Sequence, residues 1–203
     1  SVCLVGSEMC IRDRYNSNNN VCITYFGDGA ANQGQVYESY NIASLWQLPV
    51  IFVIENNKYG MGTSVNRSSA GDNLSDRGKA YGIKSEIVDG MDIIAVREAA
   101  IKAIEYCRLG KGPYILEMKT YRYRGHSMSD PAKYRTRDEV EQIRKTSDPI
   151  ENIKVLLNKM GVVDKVLKDI DVEIKSIIAD AAKFAQDSPE PSPSELYTDI
   201  TIN

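Results

Sequence analysis

Val21–Phe26 and Val50–Ile54 limit most strongly what this chain can fold into. Each is a short run rich in β-branched and aromatic residues, and each ends on a small polar turn, Gly27-Asp28-Gly29 after the first and Asn56-Asn57 after the second. Runs of this length and composition read as strands, and continuous apolar character suits parallel strands buried on both faces. Residues Gln33 to Gln47 between them suit a helix, with Val36, Tyr40, Ala43, Leu45 and Trp46 on one side and Pro49 closing it. Strand, helix, strand is a βαβ unit, with a right-handed crossover.

That unit places chemistry. Both strand ends lie at the carboxyl edge of the sheet, where open α/β sheets bind ligands, and paired strands lie about 4.8 Å apart. Asp28 and Asn57 therefore reach one ion. A carboxylate, an amide oxygen and a backbone carbonyl are hard oxygen donors that suit Mg²⁺ or Ca²⁺, and Mg²⁺ keeps positions open for phosphates. Gly29 and Ala30 let the backbone approach an anion, and the helix beginning near Gln33 turns its positive end the same way. The expected ligand is a metal-bound diphosphate.

The rest of the chain extends an open α/β sheet. A Gly- and Ser-rich loop from Glu55 to Asp72 leads to a short helix at Leu74–Tyr81 and a strand at Lys84–Val88. Asp92–Leu109 reads as a helix capped by Asp92 and stopped by Gly110, with Val96, Ala100, Ala103, Ile104 and Cys107 on one stripe. Tyr114–Lys119 reads as a further strand, and residues 121–137 form a long polar and aromatic active-site loop. Helices are expected at Arg137–Lys145, Pro149–Lys159 and Val163–Gln186, making residues 137–187 a helical region. The apolar stripe of the last, from Val163 to Phe184, reads as core or a subunit seam. The stretch after Ser194 is expected to add an edge strand. Ser1–Asn20 lacks both a signal-peptide layout and a helical stripe, resembles translated adaptor sequence, and is read as a non-native or disordered leader before a domain over 21–203.

Composition removes several classes. The chain has 203 residues, 25 Lys plus Arg against 28 Asp plus Glu, and a net charge of −3, so it lacks the basic surplus of a nucleic-acid binder. Its apolar runs fall short of the roughly 20 residues that span a bilayer, so no membrane role is expected. Four cysteines without a CxxC pair make neither a zinc site nor a disulfide framework, which points to a reducing compartment. The single histidine, His126, lies in Arg122-Tyr123-Arg124-Gly125-His126-Ser127, a loop of cations and donors suited to holding anions or passing protons.

Gly27-Asp28-Gly29 followed by Asn56-Asn57 at this spacing resembles the thiamine diphosphate signature. GDGAANQGQVYESYNIASLWQLPVIFVIENNKYGMGTSV and TYRYRGHSMSDPAKYRTRDEV resemble the family of α subunits of 2-oxoacid dehydrogenases, of the pyruvate type, over Val21 to about Asn203. The resemblance implies an α/β thiamine diphosphate-binding fold that lacks its N-terminal part. It implies Mg²⁺ held by Asp28, Asn57 and the Tyr59 carbonyl, diphosphate held by Gly29 and Ala30, and Met61 as an apolar prop under the cofactor. His126 matches the family histidine near the cofactor phosphates and the reacting centre, and Arg122 the family arginine. Arg124 stands where other versions have histidine.

The implied activity is oxidative decarboxylation of pyruvate with reductive acyl transfer to lipoyl groups. It needs a β subunit, two α with two β, and a lipoyl-bearing acyltransferase. Acetoin and branched-chain 2-oxoacid dehydrogenase α subunits are the alternatives within the family; a non-catalytic scaffold subunit or an inactive fragment is the alternative outside it. Ser127 and Ser64 match serines phosphorylated in mitochondrial relatives. The following segment is one residue shorter here and lacks their third serine, a bacterial pattern, so phosphorylation is not expected. The implied location is a bacterial-type cytoplasm, with the mitochondrial matrix as the other compartment.

Overall fold

The computed structural model describes residues 7–71 and 73–198. Four strands, β1 (Cys22–Gly27), β2 (Val50–Asn56), β5 (Lys84–Asp89) and β6 (Tyr114–Lys119), form one parallel sheet in the order β1-β2-β6-β5. A two-stranded hairpin, β3 (Tyr59–Gly60) with β4 (Thr63–Ser64), follows β2. The expected α/β class and its strands are therefore present.

Burial explains each strand's composition. β2 and β6 are central and buried on both faces, as the apolar run Val50–Ile54 requires of β2 and as Tyr114-Ile115-Leu116 and Met118 require of β6, which carries one buried charge at Glu117. β1 lies at the edge and alternates, with Cys22, Thr24 and Phe26 buried and Ile23 and Tyr25 exposed. One core layer holds Phe26, Val36, Tyr40, Phe52, Ile54, Leu74 and Ile115; its Tyr40 and Phe52 rings meet edge to face at 4.9 Å. Val36, Tyr40 and Ala43 come from α2 (Gly34–Leu45). The opposite layer holds Ile51, Val53, Val88, Leu116 and Met118 beneath Ala99, Ala103 and Cys107 of α4 (Ile93–Arg108). Each large apolar side chain so buried contributes about 1.5–3 kcal/mol.

Helix ends follow local chemistry. The Asp92 carboxylate accepts from the Ile94 and Ala95 amides at 2.9 and 3.1 Å, and Gly110 leaves α4 at φ +68°, where a side chain is disfavoured. Four expectations shift. A separate 3-10 turn, Ala30–Asn32, precedes α2, and Leu45 and Trp46 are exposed because α2 ends before its stripe returns to the sheet. Leu74–Tyr81 is 3-10 rather than α-helical. Ala99, not Ala100, completes the buried stripe of α4. Pro193–Tyr197, in the region expected to lead into an edge strand, is a 3-10 turn that begins at a proline; residues 199–203 lie outside the described residues.

Within the stretch read as a leader, Ser7–Tyr15 forms the helix α1. Its Cys10 enters the same core as Cys22, and its Asp13 is buried with Arg12 and Asn18 donating to the carboxylate. Cys3 lies outside the described residues. A four-residue helix, α3 (Val65–Ser68), follows the hairpin.

The chain divides into two compact units, Ser1–Asn152 and Ile153–Asn203. The first closes with α5 (Arg137–Ser147), capped by Thr136, and with the start of α6 (Pro149–Lys159), whose first amides donate to Asp148. The second contains the remainder of α6 and α7 (Asp164–Asp187). Residues of α7 bury nothing, so its apolar stripe is not the core of this unit. Among the described residues no helix is long and apolar enough to cross a membrane.

Candidate active site at the carboxyl edge of the sheet

The parallel register sets Gly27 opposite Glu55 and Asn56 opposite Lys119, so the turns that leave β1, β2 and β6 meet at one edge. Asp28 and Asn57 emerge side by side there. Asp28 is 2% exposed, and its Oδ2 is buried without a hydrogen-bond partner. Burial pushes the Asp28 carboxyl above its usual range, while its own amide, the Asn57 amide and the Arg122 guanidinium pull the other way without cancelling the shift.

Glycine shapes the space around that orphaned oxygen. A Cβ on Gly60 would lie 3.2 Å from the Gly29 Cα and 3.7 Å from Asp28 Oδ2, so the turn after β1 and the β3 strand touch through backbone. Ala30 is half-buried at the start of its 3-10 turn. That turn is tied down by Asn32, whose Nδ2 donates to Ser69 Oγ at 3.0 Å, and by Arg77, which donates to the Ala31 carbonyl at 2.9 Å. The Asn57 Oδ1 accepts from the Tyr59 amide at 3.3 Å. Lys58 and Met61 both have positive φ, +73° and +55°, which bends the chain sharply on either side of β3. Met61 is exposed.

The loop after β6 leans on the same hairpin. Arg122 donates through Nη1 to the Tyr59 carbonyl at 3.3 Å and through Nη2 to the Met61 carbonyl at 2.7 Å and the Tyr134 hydroxyl at 3.0 Å. The carbonyl expected to face a metal thus accepts from a guanidinium; a carbonyl has two lone pairs, so one remains. His126 Nδ1 lies 3.4 Å from Arg122 Nη1, and the His126 ring is exposed. Asp130 organises this loop by accepting from the His126 and Ala132 amides and the Tyr134 hydroxyl, which together hold its carboxyl at about 2. Gly125 is required beneath it, since a Cβ there would meet the Asp130 backbone and side chain. Arg135 reaches back to the Arg122 and Arg124 carbonyls. Ser127 is exposed beside Ser129, and Ser64 is half-buried at the start of α3.

The structure therefore gathers Asp28, Gly29, Asn57, Tyr59, Arg122 and His126 around one edge. Among the described residues no three His, Cys, Asp or Glu side chains form a metal cluster. A cation here would be held instead by a carboxylate, an amide oxygen and a carbonyl. The unpartnered, buried Asp28 Oδ2 fits that role, because a buried carboxylate oxygen without a donor is costly unless a cation completes it. The glycine-only approach of Gly29 and Gly60 brings two backbone segments together beside Asp28 Oδ2, where a side chain at either position would crowd them.

Sequence reasoning misses the support beneath this edge. Glu117 is completely buried on β6, accepting from Asn56 Nδ2 and Lys119 Nζ, both at 2.7 Å, and from the Ser75 amide at 2.9 Å. Burial pushes its carboxyl up, but these donors more than offset that and hold it below the usual range. The available signal is a lone charge inside the apolar run Tyr114-Ile115-Leu116-Glu117-Met118.

Comparison with known proteins agrees with this architecture. The family described as dehydrogenase E1 component matches residues 2–194. The chain is 58% identical over 199 residues to the pyruvate dehydrogenase E1 component subunit alpha of Rhizobium meliloti (strain 1021), covering 98% of this chain and 57% of that one. It is 51% identical over 198 residues to the protein of the same name from Zymomonas mobilis, covering 98% and 56%. The mitochondrial somatic form from Bos taurus is 50% identical over 202 residues, covering 98% and 51%. The chain spans little more than half the length of these curated relatives.

Proposed function

The chain belongs to the dehydrogenase E1 component family, and from that premise we propose that it is part of the α subunit of a thiamine diphosphate-dependent pyruvate dehydrogenase decarboxylating component. The observation that carries this reading is the buried Asp28 carboxylate, whose Oδ2 lacks a partner beside Asn57 at a glycine-lined strand edge. Family membership implies thiamine diphosphate. In this reading Asp28, Asn57 Oδ1 and the Tyr59 carbonyl hold Mg²⁺, the backbone at Gly29 and Ala30 holds the diphosphate, and Met61 supports the cofactor. Thiamine diphosphate, when bound, supplies the electron sink for loss of carbon dioxide from a 2-oxoacid.

The chain's own groups do the rest. Asp28 supplies a fixed negative charge where water is excluded, which strengthens its hold on a dication. Arg122, fixed by two carbonyls and a hydroxyl, brings positive charge to the same edge for phosphate or substrate carboxylate. His126, exposed 3.4 Å from Arg122 Nη1, holds or moves a proton at the mouth of the site. Ser127 and Ser64 are the serines a regulatory kinase would meet. A phosphate on Ser127 adds about two negative charges at this mouth and repels an incoming diphosphate.

The proposed assembly is two α with two β subunits feeding a lipoyl-bearing acyltransferase. Relatives of bacterial and mitochondrial origin both match, and the short segment Asp130-Pro131-Ala132-Lys133 favours a bacterial-type cytoplasm. The test is Mg²⁺- and thiamine diphosphate-dependent release of carbon dioxide from pyruvate by the complete subunit with its β partner. Activity that survives Asp28→Ala overturns the metal assignment.

A further inference from the structure

The support beneath the strand edge has a one-way hydrogen-bond logic. Asn56 closes β2, and its side-chain amide bridges two groups: Nδ2 donates to Glu117 Oε1 at 2.7 Å, and Oδ1 accepts from the Lys58 amide at 3.1 Å. An asparagine amide fits its pocket either way round unless a neighbour discriminates oxygen from nitrogen. The ionised Glu117 carboxylate only accepts and the Lys58 amide only donates, so the two together hold Nδ2 inward and Oδ1 toward Lys58. Lys58, at φ +73°, is the residue between Asn57 and Tyr59 at which the chain leaving β2 turns into the hairpin.

We propose that Glu117 is a positioning residue that orients the Asn56 amide so that the Lys58 turn presents Asn57 and the Tyr59 carbonyl to a divalent cation. This rests on the reading of the site given under Proposed function. Glu117 touches neither ligand itself. It draws three segments together: the end of β2 through Asn56, the 3-10 turn through the Ser75 amide, and its own strand through Lys119. A buried ion pair is a poor source of net stability, because desolvation offsets the attraction. Its value here is to reinforce the orientation of Asn56 that the Lys58 amide also selects, since an amide in place of the carboxylate must turn its nitrogen toward either the Ser75 amide or Asn56.

The test measures Mn²⁺ affinity, by electron paramagnetic resonance with thiamine diphosphate present, on the complete subunit co-purified with its β partner. Glu117→Gln is expected to weaken Mn²⁺ about 10–100-fold, the usual effect of losing a group that orients a metal ligand. The exchange Glu117→Gln with Asn56→Asp restores the bond between the two side chains with the roles reversed. The new amide on β6 donates, and the new carboxylate at the end of β2 accepts both from it and from the Lys58 amide. The exchange is expected to return affinity to within about threefold of wild type. Ile115→Val, a core truncation on the same strand, controls for general loosening and is expected to lower Tm without changing affinity.

Wild-type affinity in Glu117→Gln overturns the proposal. So does an exchange variant that folds as well as wild type yet binds no better than Glu117→Gln. If Glu117→Gln does not fold, the exchange variant alone decides: affinity near wild type supports the proposal, and a loss of about tenfold or more overturns it. A wild-type protein that binds no Mn²⁺ overturns the underlying reading of the site, and is distinguished by needing no substitution.

Discussion

Arg122 and Tyr59 lie 63 positions apart in the chain and meet at 3.3 Å, guanidinium to carbonyl. With the second bond, to the Met61 carbonyl, this contact fastens the loop after β6 onto the β3–β4 hairpin. The loop and the hairpin thereby hold each other, with the Tyr59 and Tyr134 rings 4.9 Å apart beside the same contact.

Replacing Arg122 with Met keeps the apolar stem and removes every one of these donors. Hydrogen bonds to charged groups are worth about 1.5–3 kcal/mol each when partly buried, so both segments should open together. Amide hydrogen exchange is expected to accelerate at residues 59–62 and 122–134 alike, with β2 and β6 unaffected. Acceleration in only one of the two segments contradicts the coupling.

Two glycine substitutions separate close approach from mere flexibility. A Gly60→Ala methyl would lie 3.2 Å from the Gly29 backbone, which has no side chain to move aside. A destabilisation of about 1–3 kcal/mol is expected, as for overpacking elsewhere, together with weaker Mg²⁺ binding. Gly34→Ala meets nothing within 4 Å in the first turn of α2 and is expected to stabilise by about 0.4–1 kcal/mol through the unfolded chain. Urea titration of the two variants checks both signs.

Asp28 carries opposite consequences for folding and for binding. Its carboxyl is raised by burial, so the ionised form opposes folding of the metal-free protein: stability is greatest below the unfolded pKa and declines as pH rises from there through the folded one. Asp28→Asn removes that charge and should raise the metal-free Tm by about 2–4 °C per kcal/mol regained, while abolishing Mg²⁺ binding. In the wild type, lowering the pH toward the raised pKa should weaken Mg²⁺, since the protonated acid is not a ligand. Thermal melts with and without Mg²⁺, from acid to neutral pH, test both halves; a metal-free Tm that falls in Asp28→Asn at neutral pH contradicts the assignment.

What the sequence makes legible is local. Strand, helix and strand around Asp28 and Asn57 follow from apolar runs and turn residues within one crossover, and the Asp92 cap and Gly110 stop follow from neighbours in the chain. The Glu117–Asn56 bond joins residues 61 positions apart, and no periodicity announces it. Leu45 and Trp46 escape such a reading because hydrophobicity alone does not tell where a helix leaves its sheet. The helix Ser7–Tyr15 has no amphipathic stripe to give it away, only one small buried apolar residue, Cys10, that reaches the core.

The strand order β1-β2-β6-β5 also makes one strand the keystone of the sheet. β6 is last in the chain among the four, yet it sits between β2 and β5. Until it arrives, β5 has no strand to pair with and β2 has one open flank. Long-range parallel pairings form slowly, because loop closure precedes any gain from contact. The strand on which both pairings depend is also the one that carries Glu117 and leads into Arg122. Closing the sheet and completing the strand edge therefore depend on the same strand: without β6 in place there is neither a continuous sheet nor a site.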